Sequence, residues 1–283
     1  MDRRRVVTML AAGLGAGTLG AAALATRTRR GRAARGVLLD FAHARLWWRG
    51  ERRRVPGHPM QYLLAAAETR APRAILLTLD GADHDFVWNS AAFMRACRGR
   101  PFAVATPYIV SNGGRVPASA YPYTAAELDA AAAAPLAFDV AGVRALVGAL
   151  RAEFGGAAVY LAAYSAGGHL GWKLALDAPE LWRGVALACA NFAARGLAPA
   201  DAPAGPGERP PALAPLIRGF QGALDPRAAL LRAQWDAGAA RAAARGFTRV
   251  SYEVVADAGH APCADAVVAW CAADLGAGPG HAP

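Results

Sequence analysis

The chain has 283 residues, 55% of them hydrophobic, and a formal net charge of +10. That length and composition suit one large domain with a sizeable core. Residues 1–54 hold thirteen arginines against Asp2, Asp40 and Glu51, which accounts for the whole excess; the remainder sums to zero, which argues against a nucleic-acid-binding body.

Arg3, Arg4 and Arg5 precede a mildly apolar, Gly/Ala-rich stretch at 6–25 that ends in Ala23-Leu24-Ala25. That layout predicts an export signal at 1–25, of twin-arginine type from its arginine cluster, and hence a periplasmic or secreted protein. The alternative is an uncleaved membrane anchor through residues 6–25. Gly15, Gly17 and Gly20 match a dinucleotide fingerprint, but no strand precedes them, so no cofactor is expected. Residues 26–36 read as a basic linker.

The runs 37–48 (VLLDFAHARLWW) and 60–67 (MQYLLAAA) read as strands across the turn-forming RRRVPGHP, giving an antiparallel opening. Ala74 to Leu79 (AILLTL) is apolar throughout, as in a strand buried on both faces. A helix follows at 86–97 and a strand at 102–110; residues 111–135 read as loop. Asp139 is the expected N-cap of a helix carrying Val140, Val143, Val147, Leu150 and Phe154 at helical spacing, ended by Gly155-Gly156. Strands at 157–163, 182–190, 216–220 and 251–255 then alternate with helices at 166–176, 226–244 and 264–273. The alternation predicts an α/β fold: a mostly parallel sheet with an antiparallel start and helices on both faces, spanning 37–275. Residues 276–283 read as a disordered tail.

Between the strand at 157–163 and the next helix stands Ala163-Tyr164-Ser165-Ala166-Gly167. A serine at such a strand-to-helix turn, with small residues two before and two after it, fits a nucleophile elbow. Alanine stands where glycine is usual. The N–H of Ala166 would then face a developing oxyanion. A serine nucleophile needs a base, and the base an orienting acid, in the chain order Ser, Asp or Glu, His. Asp225, in GALDP, follows one strand, and His260, in AGH, follows the next. Asp225 also fits an N-cap ahead of Pro226. His169 reads as a structural hydrogen-bonding residue.

Taken together, YSAGGHLGW, LALDAPELWRGVALACA, GALDP and AGH, in that order, resemble the α/β-hydrolase superfamily, and within it small secreted esterases related to carboxylesterases, feruloyl esterases and polyester depolymerases. The resemblance covers roughly residues 60–275. It implies an α/β-hydrolase fold, a catalytic triad of Ser165, Asp225 and His260, and a second oxyanion donor at the N–H of Ala82, with Asp80 in place of the usual histidine.

Asp80, Asp83, His84 and Asp85 lie in one segment without a ligand-loop pattern, so no metal is expected. Cys97, Cys189, Cys263 and Cys271 show no CxxC or zinc spacing, which leaves disulfides and buried thiols both open. The short interval between the strands ending near Ala190 and starting near Leu216 predicts no large cap domain and an open site. Trp88, Tyr108, Tyr121, Tyr123 and Phe192 are candidates for an acyl or aryl pocket. The expected activity is hydrolysis of small or polymeric esters through an acyl-enzyme. The alternatives are a peptidase or amidase with the same triad and a non-catalytic exported binding protein.

Overall fold

A computed structural model describes residues 51–65, 72–113, 121–193 and 214–277. The expected export or anchor segment, the basic linker, the expected strand at 37–48 and most of the 276–283 tail lie outside these residues. Among the described residues, eight strands form one sheet: β1 (Glu51–Arg54), β2 (Gln61–Ala65), β3 (Ala74–Leu79), β4 (Phe102–Pro107), β5 (Ala158–Tyr164), β6 (Gly184–Ala188), β7 (Leu216–Gly222) and β8 (Val250–Val255). Their spatial order is β1-β2-β4-β3-β5-β6-β7-β8. β2 pairs antiparallel with both β1 and β4, and every other pairing is parallel.

The six helices among the described residues are α1 (Phe86–Ala96), α2 (Ala125–Ala133), α3 (Pro135–Glu153), α4 (Gly168–Asp177), α5 (Ala228–Ala244) and α6 (Ala264–Gly276). The strands are apolar at successive positions because both faces are covered. Ile75, Leu77, Val159, Leu161, Val185 and Leu187 pack with Val143 and Leu146 of α3 and Leu170, Trp172 and Leu174 of α4. Their neighbours along the strands, Leu76, Val104, Tyr160, Ala162 and Ala186, pack with Phe93 of α1 and Val267, Val268 and Cys271 of α6. The two-residue period of a strand thus supplies two cores from one sheet.

Three local expectations are corrected. The antiparallel opening exists, but its first described strand is Glu51–Arg54, overlapping the start of the segment read as a turn, 52–59; an edge strand facing water can be charged at every position, so it carries no apolar signal. Residues 111–135, read as loop, contain α2. Its N-cap Thr124 accepts from the Glu127 N–H while the Glu127 carboxylate accepts from the Thr124 N–H, a reciprocal capping box. Asp139 does not cap a helix. α3 starts at Pro135, and Asp139 lies buried inside it, accepting from the N–H groups of Val110 (2.9 Å) and Ser111 (2.7 Å). Burial pushes its carboxyl up to about 7 despite those bonds.

Candidate active site

β5 delivers its chain end to Ser165, which is non-glycine yet has a φ of 50°, and a single 3₁₀ turn, Ser165–Gly167, leads into α4. Left-handed backbone at such a residue is costly and persists where surrounding packing enforces it. The packing here is tight. A Cβ at position 167 would run into the Asp80 carbonyl oxygen, so glycine is required two residues after the serine. On the other side, the Ala163 methyl is accommodated because Gly171, one turn along α4, has no side chain; a Cβ there would stand 2.5 Å from the Ala163 Cβ. This pairing lets alanine occupy the position where glycine is usual. The Ser165 carbonyl accepts from the Asn191 N–H at 2.9 Å, which fixes the far side of the turn.

Ser165 Oγ lies 2.9 Å from His260 Nε2, and His260 Nδ1 lies 2.8 Å from Asp225 Oδ2. Asp225 sits three residues past β7 and is buried. Its Oδ1 accepts from the Arg227 N–H (2.8 Å), and its Oδ2 accepts from Gln221 Nε2 (2.9 Å) as well as facing His260. Burial opposes its charge, but the Arg227 N–H, His260 and Gln221 outweigh it and hold the carboxyl below its ordinary range. The same carboxylate faces the histidine and accepts the Arg227 N–H, but Asp225 is not the helix N-cap: α5 begins at Ala228, with Arg227 in the cap position and no side-chain cap bond. An ionised Asp225 accepts the hydrogen bond of the Nδ1–H of neutral His260, which leaves a lone pair on Nε2 for the Ser165 hydroxyl.

Tyr164 donates its hydroxyl to the His260 carbonyl at 3.0 Å and tilts its ring against the imidazole. Cys189, just past β6 with a φ of 44°, has its Sγ within 4.8 Å of a ring nitrogen of His260. Cys189 and then Asp225 raise the histidine above its ordinary value, against burial. Hydrogen bonding with Cys263, and more weakly with His260, holds the Cys189 thiol below its usual range, against burial.

The loop after β3 meets the serine directly: a Cβ on Gly81 would stand 3.1 Å from Ser165 Cβ. Ala82 is the next residue in that loop, and Ala166 directly follows the serine in the chain. Fully buried Asn112 donates to the carbonyls of Asp80 (3.2 Å) and Gly81 (2.6 Å). Asp80 is buried too; desolvation pushes its carboxyl up to about 8, with Asp83 and Asp85 adding to the rise and the Gly81 and Asp85 N–H groups opposing it.

The segment Asp80, Asp83, His84, Asp85 does not converge on a point. Asp85 caps α1 by accepting from the Trp88 N–H, while His84 faces the Gly113 carbonyl through Nε2 and the Tyr121 hydroxyl through Nδ1. Of the five aromatic pocket candidates, Tyr108, Tyr121 and Tyr123 are core residues: the two latter stack at 5.6 Å and donate to the carbonyls of Ile109 and Tyr108. Phe192 packs on Trp172. Trp88 stands against Tyr164, next to the serine. His169 lies in the first turn of α4. Asn112, Gln221 and Cys189 were not singled out for the site from sequence, since each is one residue without a spacing pattern. All four cysteines are buried free thiols.

No known protein family and no curated protein matches the sequence. Solved structures do match. The Thermus thermophilus protein TT1662 is similar at 20% identity and a TM-score of 0.55, over 81% of this chain and 99% of its own. A predicted CIB-like hydrolase from Thermoplasma acidophilum is similar at 14% identity and a TM-score of 0.51, over 81% and 97%. S-formylglutathione hydrolase from Staphylococcus aureus is similar at 13% identity and a TM-score of 0.51, over 81% and 95%. The strand order, the strand–serine–helix turn and these likenesses together show that the chain has the α/β-hydrolase fold.

Proposed function

We propose that the protein is a serine hydrolase that cleaves carboxylic esters through an acyl-enzyme. One observation carries this reading: the unbroken line from Ser165 Oγ to His260 Nε2 (2.9 Å) and from His260 Nδ1 to Asp225 Oδ2 (2.8 Å). In the proposed reaction, Ser165 Oγ attacks the ester carbonyl as its proton passes to His260 Nε2. Asp225 stabilises the resulting imidazolium. The N–H groups of Ala82 and Ala166 take the oxyanion, a contribution worth roughly 10²–10³ in kcat per donor. His260 then gives its proton to the departing alkoxide, and water repeats the sequence to release the acid. Side chains and water complete this chemistry without a cofactor.

Esters are favoured over amides by the leaving group: an alkoxide needs less protonation than an amine anion. Small esters and accessible polyesters are the proposed substrates, and export through residues 1–25, or anchoring through 6–25, belongs to the same proposal. The test is hydrolysis of short p-nitrophenyl esters beside matched anilides. The expected result is ester turnover that falls roughly 10⁴-fold or more in Ser165→Ala with the fold retained. Undiminished turnover in that variant contradicts the assignment, and anilide cleavage at a comparable rate favours the amidase reading.

A further inference from the structure

The reaction proposed above leaves one reactive group at its centre unused. Cys189 is 1% exposed, and its Sγ lies 3.7 Å from Gln221 Nε2 and 3.8 Å from the Gly259 carbonyl oxygen. One ligand atom from each of Cys189, Asp225 and His260 lies within 4.8 Å of the others. A second thiol, Cys263, donates to the Ala261 carbonyl at 3.5 Å. A thiol, an imidazole and a carboxylate therefore gather at one point.

We propose that Cys189, His260 and Asp225 form a binding site for a thiophilic divalent cation such as Zn²⁺ or Cd²⁺, and that its occupancy turns the hydrolase off. Thiolate, imidazole and carboxylate are the ligands zinc takes, at about 2.3, 2.0–2.1 and 2.0–2.2 Å, so tetrahedral donors stand about 3.3–3.7 Å apart. The three ligand atoms lie within 4.8 Å of one another, and the ion would draw them in to that spacing by side-chain rotation. Hard cations such as Mg²⁺ prefer oxygen shells and do not fit this donor set.

The nitrogen used is fixed by geometry. Asp225 Oδ2 lies beside Nδ1, so an ion shared by Asp225 and His260 sits at Nδ1, where the proton now is. The imidazole proton then moves to Nε2. Cys189 binds as thiolate, and its proton leaves to solvent, so each cation taken up releases one proton. With a proton on Nε2, the histidine donates toward Ser165 Oγ and cannot accept from it. Occupancy and acyl transfer are mutually exclusive. Only this inhibitory consequence rests on the proposed hydrolase reading; binding itself does not.

The experiment uses the untagged full chain, first stripped of metal with a chelator. Cd²⁺ is titrated while the ultraviolet thiolate-to-cadmium charge-transfer band is followed. Zn²⁺ affinity is measured by competition with a chromophoric chelator, and ester turnover is recorded at each occupancy. The expected result is a band that saturates at one ion per chain, turnover lost in step with it, recovery on adding chelator, and no effect of Mg²⁺. Cys189→Ser should lose the band and weaken Zn²⁺ by about 100-fold, since even an outer partner of a ligand is worth 10–100-fold. Cys97→Ser, altering a thiol elsewhere, should keep both.

Should the serine variant misfold, as judged by near-ultraviolet circular dichroism, Cys189→Val preserves the side-chain volume and serves instead. A band or a Zn²⁺ affinity within about threefold of wild type in the Cys189 variant overturns the site. If wild type turns over no ester, the band and chelator measurements still decide whether the ion binds.

Discussion

Asp80 carries a carboxyl group into a place that water barely reaches, directly beside the loop that meets Ser165. Its pKa stands near 8 against an ordinary 3.8, chiefly through desolvation. The native state therefore keeps a proton that the unfolded chain loses. Stability from this group is complete below the unfolded value of 3.8 and drains away as pH rises toward about 8. Asp80→Asn cannot ionise. Urea midpoints measured from about pH 5 to about pH 8 should fall for wild type relative to the variant, so the gap widens in the variant's favour. Parallel pH slopes for the two proteins contradict this role. Residue identity alone did not disclose it, because desolvation is a property of the neighbours. Ser165, Asp225 and His260 were legible for the opposite reason: each follows a strand, and the order of the three is itself a pattern. Ala163 weakened that pattern until Gly171, one helical turn away, supplied the missing room. Cys189 left no signal, since a lone cysteine after an apolar strand reads as core.

Between elements, the segment after β4 acts as a clamp. Asp139 of α3 holds the N–H groups of Val110 and Ser111, the tyrosine hydroxyls hold the carbonyls of Tyr108 and Ile109, and Asn112 then reaches across to the carbonyls of Asp80 and Gly81. Turning those carbonyls toward Asn112 sets the orientation of the peptide groups that follow, including the N–H of Ala82. Asn112→Ala leaves two carbonyls without that donor and frees the loop. Steady-state kinetics with a short ester should show kcat lowered roughly 10–100-fold, a fraction of what an oxyanion donor is worth, with KM within about threefold. An unchanged kcat in a folded variant contradicts the clamp. Element by element, the apolar strands and amphipathic helices were readable because their periods are strong. Glu51–Arg54 was not, because an edge strand needs no apolar face. α2 was missed for want of period in an alanine-rich run, although Thr124 and Glu127 spelled out its start. Asp139 misled because an acid near the start of an apolar period imitates a cap, while Pro135 had already begun the helix.

At the scale of the molecule, the parallel strands β3, β5, β6, β7 and β8 all release their chains at the same edge of the sheet. Open α/β sheets gather their chemistry there. The loop after β3, Ser165 after β5, Cys189 after β6, Asp225 after β7 and His260 after β8 are therefore brought together by topology from across most of the chain. At the opposite, amino end of the strands, Arg183, preceding β6, bonds to Asp274 of α6, which also accepts from Tyr160 of β5. This arrangement sets Ser165 Oγ 2.9 Å from His260 Nε2, and the central claim is that it is a nucleophile. The direct test is to treat the full-length protein with an alkyl fluorophosphonate and map the adduct by peptide mass spectrometry. One adduct per chain, on Ser165 and abolished in His260→Ala, is the predicted result. No adduct at Ser165, or labelling there that persists undiminished without His260, contradicts it.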